Sequence, residues 1–226
     1  MVGVRELTVT RASVMGSPNI GVFARATDSF AIFPEGIPAR KLERVSRLLE
    51  VKVVSLDLGY SKLIGVLSAA NSRGIIVPHY LTEEEEKFLR EKLEVEVERL
   101  RSKHTSAGNL ILANDRGAVV SPLLGRRELQ TVEDILGVEA VYGSIAGIPL
   151  PGSMAAATNR GAMLHPQASD EEVKKVAEVL KVRVGVGTVN GGVSYVSSGI
   201  VGNSKALLVG SLTTGPELLT ISTIFE

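Results

Sequence analysis

The chain repeats itself. Pro34, Pro78, Pro122 and Pro166 stand 44 residues apart, each closing an apolar run, and the next step lands on Gly210 behind "ALLV". A second series agrees: Gly21, Gly65, Gly108, Gly152 and Gly199, at steps of 44, 43, 44 and 47, each open a run of small or apolar residues. A period of this length, carried five times through 226 residues, marks a repeat architecture. In such a chain one supersecondary unit cannot bury its apolar face alone and must stack on its neighbours. The longer last step places a small insertion near "NGGVSYVSS".

Within a unit the apolar spacing changes in a fixed order. Ahead of each glycine stands an alternating pair: Leu7 and Val9, Val51 and Val53, Val95 and Val97, Val138 and Ala140, Val182 and Val184. Period-two spacing over so few residues favours short strands. Behind each proline the spacing becomes helical, as in Leu42, Val45, Leu48 and Leu49, in Leu129, Val132 and Leu136, and in Val173, Val176, Ala177 and Leu180. Capping boxes at Thr82 to Glu85, Ser169 to Glu172 and Thr214 to Glu217 mark three helix starts. The third carries Pro216 in its first turn, where the missing N–H costs nothing. One unit is therefore expected to run strand, second strand, turn, third strand, helix.

The phase of the repeat carries topology. The chain opens on a strand pair and ends in a helix as apolar as the others (Leu218, Ile221, Phe225). An open solenoid would leave two raw ends needing polar caps. Packing the last helix against the first strands removes both, so residues 1–226 are expected to form one domain, an α/β ring of five pseudo-symmetric repeats.

Composition narrows the function classes. Lys plus Arg equals Asp plus Glu at 25 each, so no global positive field draws the chain to nucleic acid and any RNA contact must be local. The absence of cysteine removes disulfides, thiolate nucleophiles and Cys-ligated zinc together. "MVGVRELTVTR" has no continuous apolar core, and no run approaches the ~18 residues of a membrane span. A cytoplasmic monomer without cofactor or metal is expected.

One phrase returns three times: "NSRGIIVP" at 71–78, "NDRGAVVSP" at 114–122 and "TNRGAMLHP" at 158–166. Asn and Gly tolerate positive φ and suit a tight strand connection, and proline ends the strand. Turn geometry thus accounts for everything except Arg73, Arg116 and Arg160, three cations at equivalent turns and a possible phosphate-binding rim.

"NSRGIIVP", "SAGNLILANDRG", "GSMAAATNRGAMLHP" and "GTVNGGVSYVSSGIVGN" resemble the signature segments of the translation initiation factor 6 family, in order and across essentially the whole chain. The resemblance is to the archaeal branch, which ends at the last helix. It implies the pentein fold, five αβ units around an axis. It also implies a role: binding the large ribosomal subunit on its intersubunit face, through ribosomal protein and rRNA near the sarcin–ricin loop, and blocking the small subunit.

The enzymatic alternative comes from the same fold class, since other penteins hydrolyse or transfer guanidino groups with a cysteine nucleophile. This chain has no cysteine, and His79, His104 and His165 fall at unrelated phases of the repeat, which reads them as structural or surface residues. "GVGTVN", starting at Gly185, lacks the third glycine of a dinucleotide loop. The acidic stretch "EEEEKFLREKLEVEVERLR" reads as a helix N-terminus followed by a strand whose polar side carries Glu94, Glu96 and Glu98, a surface expected to face away from RNA.

The residues after the glycine markers are Val22, Val66, Asn109, Ser153 and Ile200, and Asn109 departs furthest from the apolar pattern. The family's Gly-Asn matches Gly108 and Asn109. The candidate ribosome contacts are therefore Gly108 and Asn109 with the turns at Asn71, Ser72 and Arg73, Asn114 and Arg116, Asn159 and Arg160, and the inserted loop at Asn190.

Overall fold

The structure is a computed structural model that describes residues 7–226; the first six, on which part of the N-terminal reading rests, lie outside it. After β1 (Thr8–Ala12) comes a one-turn helix, α1 (Ile20–Phe23). The short β2 (Arg25–Ala26) then pairs antiparallel with β3 (Phe30–Phe33). Helix α2 (Ala39–Leu49) carries the chain back, so that β4 (Lys52–Ser55) lies parallel along the other edge of β3.

The second blade follows the same plan with α3 (Ile64–Leu67), β5 (Ala69–Ala70), β6 (Gly74–Pro78), α4 (Glu83–Leu93) and β7 (Glu96–Leu100). The third uses α5 (Ala107–Leu110), β8 (Ile111–Ala113), β9 (Ala118–Val120), α6 (Arg126–Leu136) and β10 (Ala140–Tyr142). The fourth uses α7 (Pro151–Met154), β11 (Ala155–Ala157), β12 (Gly161–Leu164), α8 (Asp170–Leu180) and β13 (Arg183–Val186). In the fifth a 3₁₀ turn (Val196–Gly199) precedes β14 (Ile200–Gly202), β15 (Ala206–Gly210) and α9 (Gly215–Phe225).

The fifth blade borrows its last strand from the other end of the chain. β1 lies parallel to β15 from Thr8↔Ala206 to Ala12↔Gly210, closing the ring through backbone hydrogen bonds. Leu7 and Val9 share an apolar cluster with Leu218, Ile221 and Phe225 of α9, so the terminal helix and the N-terminal strand also meet in the core. The central strands β3, β6, β9, β12 and β15 are buried at every residue, as expected of strands covered on both faces.

The expected unit needs one correction. The glycine markers do not open a strand; they sit in the one-turn helices that encircle the axis. A Cβ on Gly65 would fall inside contact distance of the Gly21 carbonyl oxygen, one on Gly108 of Gly65, one on Gly152 of Gly108 and one on Gly21 of Ser197. The fifth member of the series is therefore Ser197, not Gly199, and the last step is 45 residues rather than 47.

The loops explain that step. Met15–Gly16, Gly59–Tyr60 and Ala146–Gly147 are two-residue hairpin turns with positive φ at both positions, the type I′ geometry that matches strand twist. The fifth turn, bridged Val189↔Val193, adds one residue at Asn190, Gly191 and Gly192. In the third unit the bridged hairpin is replaced by the shorter segment 101–106.

These elements define two faces. Every central strand starts at the turns containing Asn71, Asn114 and their equivalents, and the long helices end there; this is the turn face. Every central strand finishes beside the hairpin tips, the starts of the long helices and the one-turn helices; this is the hairpin face.

Because the axial glycines face backbone rather than movable side chains, Gly65→Ala is expected to lower stability by about 3 kcal/mol or more. At Gly16, whose Cβ position is open, alanine is expected to cost only the strain of φ +80°. Chemical denaturation of the two variants measures the difference.

Candidate binding faces

The two faces divide the expected contacts. Asn71, Ser72, Arg73, Asn114, Arg116, Asn159 and Arg160 lie on the turn face, whereas Gly108, Asn109 and Asn190 lie on the hairpin face.

On the turn face the polar groups are largely occupied with holding the ring. Asn71 is 2% exposed; its Oδ1 accepts from the N–H of Arg73 (2.9 Å) and Gly74 (3.2 Å), and its Nδ2 donates to the carbonyls of Asn114 (3.3 Å) and Leu136 (2.8 Å). Asn114 repeats the pattern one unit on, reaching Thr158 O (3.2 Å) and Leu180 O (2.9 Å). Asn203 does so across the seam, reaching Thr27 O (3.1 Å) and Leu49 O (2.8 Å). Each asparagine folds its own turn and pins it to the next unit. Asn71 and Asn114 are thus buried joints of the ring.

The three arginines have the same kind of explanation. Arg73 donates to Gly137 O (3.0 Å), Arg116 to Lys181 O (2.7 Å) and Arg160 to Glu226 O (3.1 Å), each at the C-terminal end of a long helix of the next unit. Cations there satisfy orphan carbonyls and complement the helix dipole. Ser72 and Asn159 are held as well. The N–H and hydroxyl of Ser72 both donate to Asp115 (2.7 Å each), and Asn159 Nδ2 bridges Asp115 and Asp28.

On the hairpin face Asn190 is also structural: 8% exposed at φ +52°, it donates from Nδ2 to Pro18 O (3.0 Å) across the seam. Gly108 belongs to the axial stack. With the series re-registered, the positions after the axial residues are Val22, Val66, Asn109, Ser153 and Ser198. The serine hydroxyls donate locally, to Leu150 O (3.0 Å) and Tyr195 O (2.7 Å). Half-buried Asn109 keeps its side-chain amide free of protein hydrogen bonds among the described residues.

Sequence reasoning missed a cationic cleft on the hairpin face. Where the third hairpin is replaced, Arg99, Arg101, Lys103, His104 and His79 line an open cleft with Leu123 and Glu128. Arg99 is engaged by Glu86 at 2.9 Å, while Arg101 and Lys103 are exposed without an ion-pair partner among the described residues. His79 and His104, read apart from sequence, converge here because a strand end and a neighbouring loop meet in space. The signal was the one-residue shortfall between Gly65 and Gly108. His165 lies elsewhere, buried, with Nδ1 accepting from Gln167 N–H (3.1 Å).

Exposed apolar side chains gather on the same face. Met15, Tyr60, Leu63, Tyr80, Leu123, Tyr142, Val186, Tyr195 and Leu212 all stand at hairpins, strand ends or one-turn helices there; Phe88 and Leu219 are the helix-borne exceptions among the described residues. The start of α4 reaches this face too. Glu84 and Glu85 line a second cleft with Glu35, Asp57, Tyr60 and Phe88, so the acidic stretch does not point wholly away from it.

The capping glutamates fix the hairpins. Glu85 accepts from Gly59 N–H (3.0 Å) as well as from its capping partner Thr82 (2.9 Å). Glu172 accepts from Ala146 (2.9 Å), Gly147 (3.1 Å) and Ser169 (2.8 Å). Glu217 accepts from Gly191 (3.0 Å), Gly192 (2.9 Å), Thr214 (2.7 Å) and the Thr188 hydroxyl (2.7 Å). Burial pushes the Glu217 carboxyl up, but the N–H of Thr214, the Thr188 hydroxyl and the glycine N–H groups outweigh it and hold the carboxyl at about 2. In Glu172 the same balance, burial against the N–H groups of Gly147, Ser169 and Ala146 and the Ser169 hydroxyl, also ends below the ordinary value.

Five blades of this topology, closed around glycine-lined one-turn helices and carrying one face where the repeat is broken, define a pentein-type ring. The sequence model of the eIF-6 family matches residues 9–224, and the chain belongs to that family. Among its relatives, translation initiation factor 6 of Nitrosopumilus maritimus is 47% identical over 97% of this chain and 99% of that protein. The namesake from Pyrococcus furiosus is 53% identical over 91% and 92%. The fold also aligns with a cysteine-to-serine mutant of DDAH from Pseudomonas aeruginosa complexed with citrulline, at TM-score 0.52 and 12% identity over 97% of this chain and 89% of that one. At that identity the likeness concerns the fold alone. The chain is a translation initiation factor by family, as its motifs implied.

A carboxyl depressed in the folded state contributes stability above its unfolded value and loses it as pH falls through the folded one. Glu217 is therefore expected to withdraw stability between pH 4.5 and 2. Glu217→Gln should lower stability at neutral pH by about 1.5–3 kcal/mol and flatten that acid limb. Denaturant titrations across the range, on both proteins, give the comparison.

Proposed function

We propose that the chain binds the large ribosomal subunit through its hairpin face and, by covering the intersubunit surface, keeps the small subunit from joining. One observation carries the choice of face: the free Asn109, the cationic cleft and nearly all the exposed large apolar side chains lie together on it. The turn face spends its polar groups on the ring. Family membership supplies the ribosomal context.

The two clefts suit a surface of mixed chemistry. Arg101 and Lys103 match rRNA phosphates, which position a protein without reading sequence. The cleft carrying Glu35 and Glu84, rimmed by Tyr60 and Phe88, matches a basic ribosomal protein, while its Asp57 is already paired with Lys62 at 3.0 Å. An interface of ordinary size buries about 800 Å² per partner, within reach of such a face. The protein acts as a monomer in the cytoplasm; among the described residues no helix is long and apolar enough to cross a membrane.

Binding rather than catalysis is supported by the absence of cysteine and by the axis. The axial cavity has a volume of about 50 Å³, well below the ~300 Å³ at which small-molecule sites begin. Purified protein is expected to turn over neither arginine nor agmatine; turnover would restore the guanidino-hydrolase reading.

Sedimentation of purified subunits tests the proposal. The protein should co-migrate with the large subunit and reduce subunit joining; failure of both defeats the reading. Arg101→Glu with Lys103→Glu should weaken large-subunit binding about tenfold or more and reduce its log–log salt slope by about one to two. Asn109→Lys should weaken binding with the melting temperature nearly unchanged. Arg116→Glu, on the turn face, should leave binding intact; if it alone abolishes binding, the assignment of faces is reversed.

A further inference from the structure

Arg25 occupies a place where the repeat has no use for charge. Its counterparts four residues after each axial residue are Ala69, Leu112, Ala156 and Val201, all apolar and all on the short inner strands around the axis. Its guanidinium reaches across to the second blade, where Nη2 donates to the carbonyls of Gly65 and Ser68, the latter at 2.7 Å. It also lies beneath the third blade: a Cβ on Gly108 would meet Arg25 Nη2 at 2.7 Å.

One donor of this half-buried side chain is left unfilled. Nε is buried and donates to no acceptor among the described residues, and no carboxylate forms an ion pair with Arg25 among them. Asp28 and Asp115, toward the turn face, are committed to Ser204, Ser72 and Asn159. Burial lowers the Arg25 pKa to about 10, which leaves the side chain cationic at neutral pH. A buried donor left unfilled costs free energy that an anion in the cavity removes.

Arg25 lines the axial cavity of about 50 Å³ together with Ala70, Ala113, Ala156, Ile200 and Gly202. A water needs roughly 10–15 Å³ of such volume, so the cavity has room for one small ion and a water or two, and not for a nucleotide or a guanidino substrate. We propose that the axial cavity is a binding site for a small monovalent anion, of the size of chloride or formate, held by the Arg25 guanidinium. The bound ion completes the hydrogen bonding of Arg25 and stiffens the inner ring directly under Gly108 and Asn109. It thereby couples the axis to the hairpin face without taking part in chemistry.

Crystals of the whole protein grown with bromide test this. An anomalous peak within hydrogen-bond distance of Arg25 Nε is expected, and a parallel formate crystal separates a halide from a carboxylate ligand by its density. Water alone at that position under both conditions overturns the proposal. A peak that appears only at molar bromide marks an adventitious ion and overturns it as well. In solution, added bromide should raise the melting temperature of the wild type more than that of Arg25→Met at matched ionic strength, with Arg25→Lys in between; equal shifts in wild type and Arg25→Met overturn it. Should Arg25→Met fail to fold, the diffraction result and the Arg25→Lys comparison still decide.

Discussion

The ring depends on how closely its backbones approach at the axis. Four of the five one-turn segments present a residue whose α-carbon lies against the carbonyl of the previous unit's equivalent, and in those four that residue must be glycine. The fifth is Ser197, whose hydroxyl donates to Ser153 O at 3.0 Å, so the one side chain admitted is turned into an inter-unit bond. Once this distance is set, the short strands, the buried central strands and the placing of the long helices follow. The short strands can be only two or three residues long because they span the narrow end of each wedge.

Closure also separates the faces chemically. At the turn face, every unit repeats one solution: a buried Asn or Thr folds the turn, and in four blades that Asn or the arginine two residues on reaches the carbonyls at the end of the next unit's helix. Such a surface leaves few donors for a partner, because symmetry has already used them. At the hairpin face the repeat is broken, by a missing residue in the third unit, an added one in the fifth and a free amide at Asn109. Departures from the local rule without a structural return are where binding is expected.

Much of the fold was legible because its signals are local and repeated. Prolines that end buried strands, capping boxes and helical stripes recur at a fixed spacing, and the phase of the series called for closure. Capping glutamates were visible as helix starts, but their second task, holding the hairpin N–H groups, needed the tertiary approach of Glu172 to Ala146 and of Glu217 to Gly191. The site was less legible. Asn71 and Asn190 look like exposed turn residues in sequence, yet both are buried by neighbours dozens of residues away. Conversely, the cleft joins His79 to Arg101, Lys103 and His104, residues whose phases in the repeat differ and whose meeting is set by the wedge geometry.

The neutral composition takes on a different meaning once the charges are placed. A chain with equal numbers of acids and bases has no net field to steer it, but on the hairpin face the signs are unevenly placed: cations predominate where the third hairpin is replaced, carboxylates around Tyr60 and Phe88 in the second unit. A pure RNA surface would be repelled by the second cleft, and a purely basic protein by the first. Opposite potentials side by side discriminate most strongly for a surface on which phosphate and basic protein alternate at the same spacing, since any rotation of the ring about its axis brings like charges together. The pseudo-five-fold fold offers five nearly equivalent orientations, and on the proposed binding face this asymmetry of charge is the feature that distinguishes them.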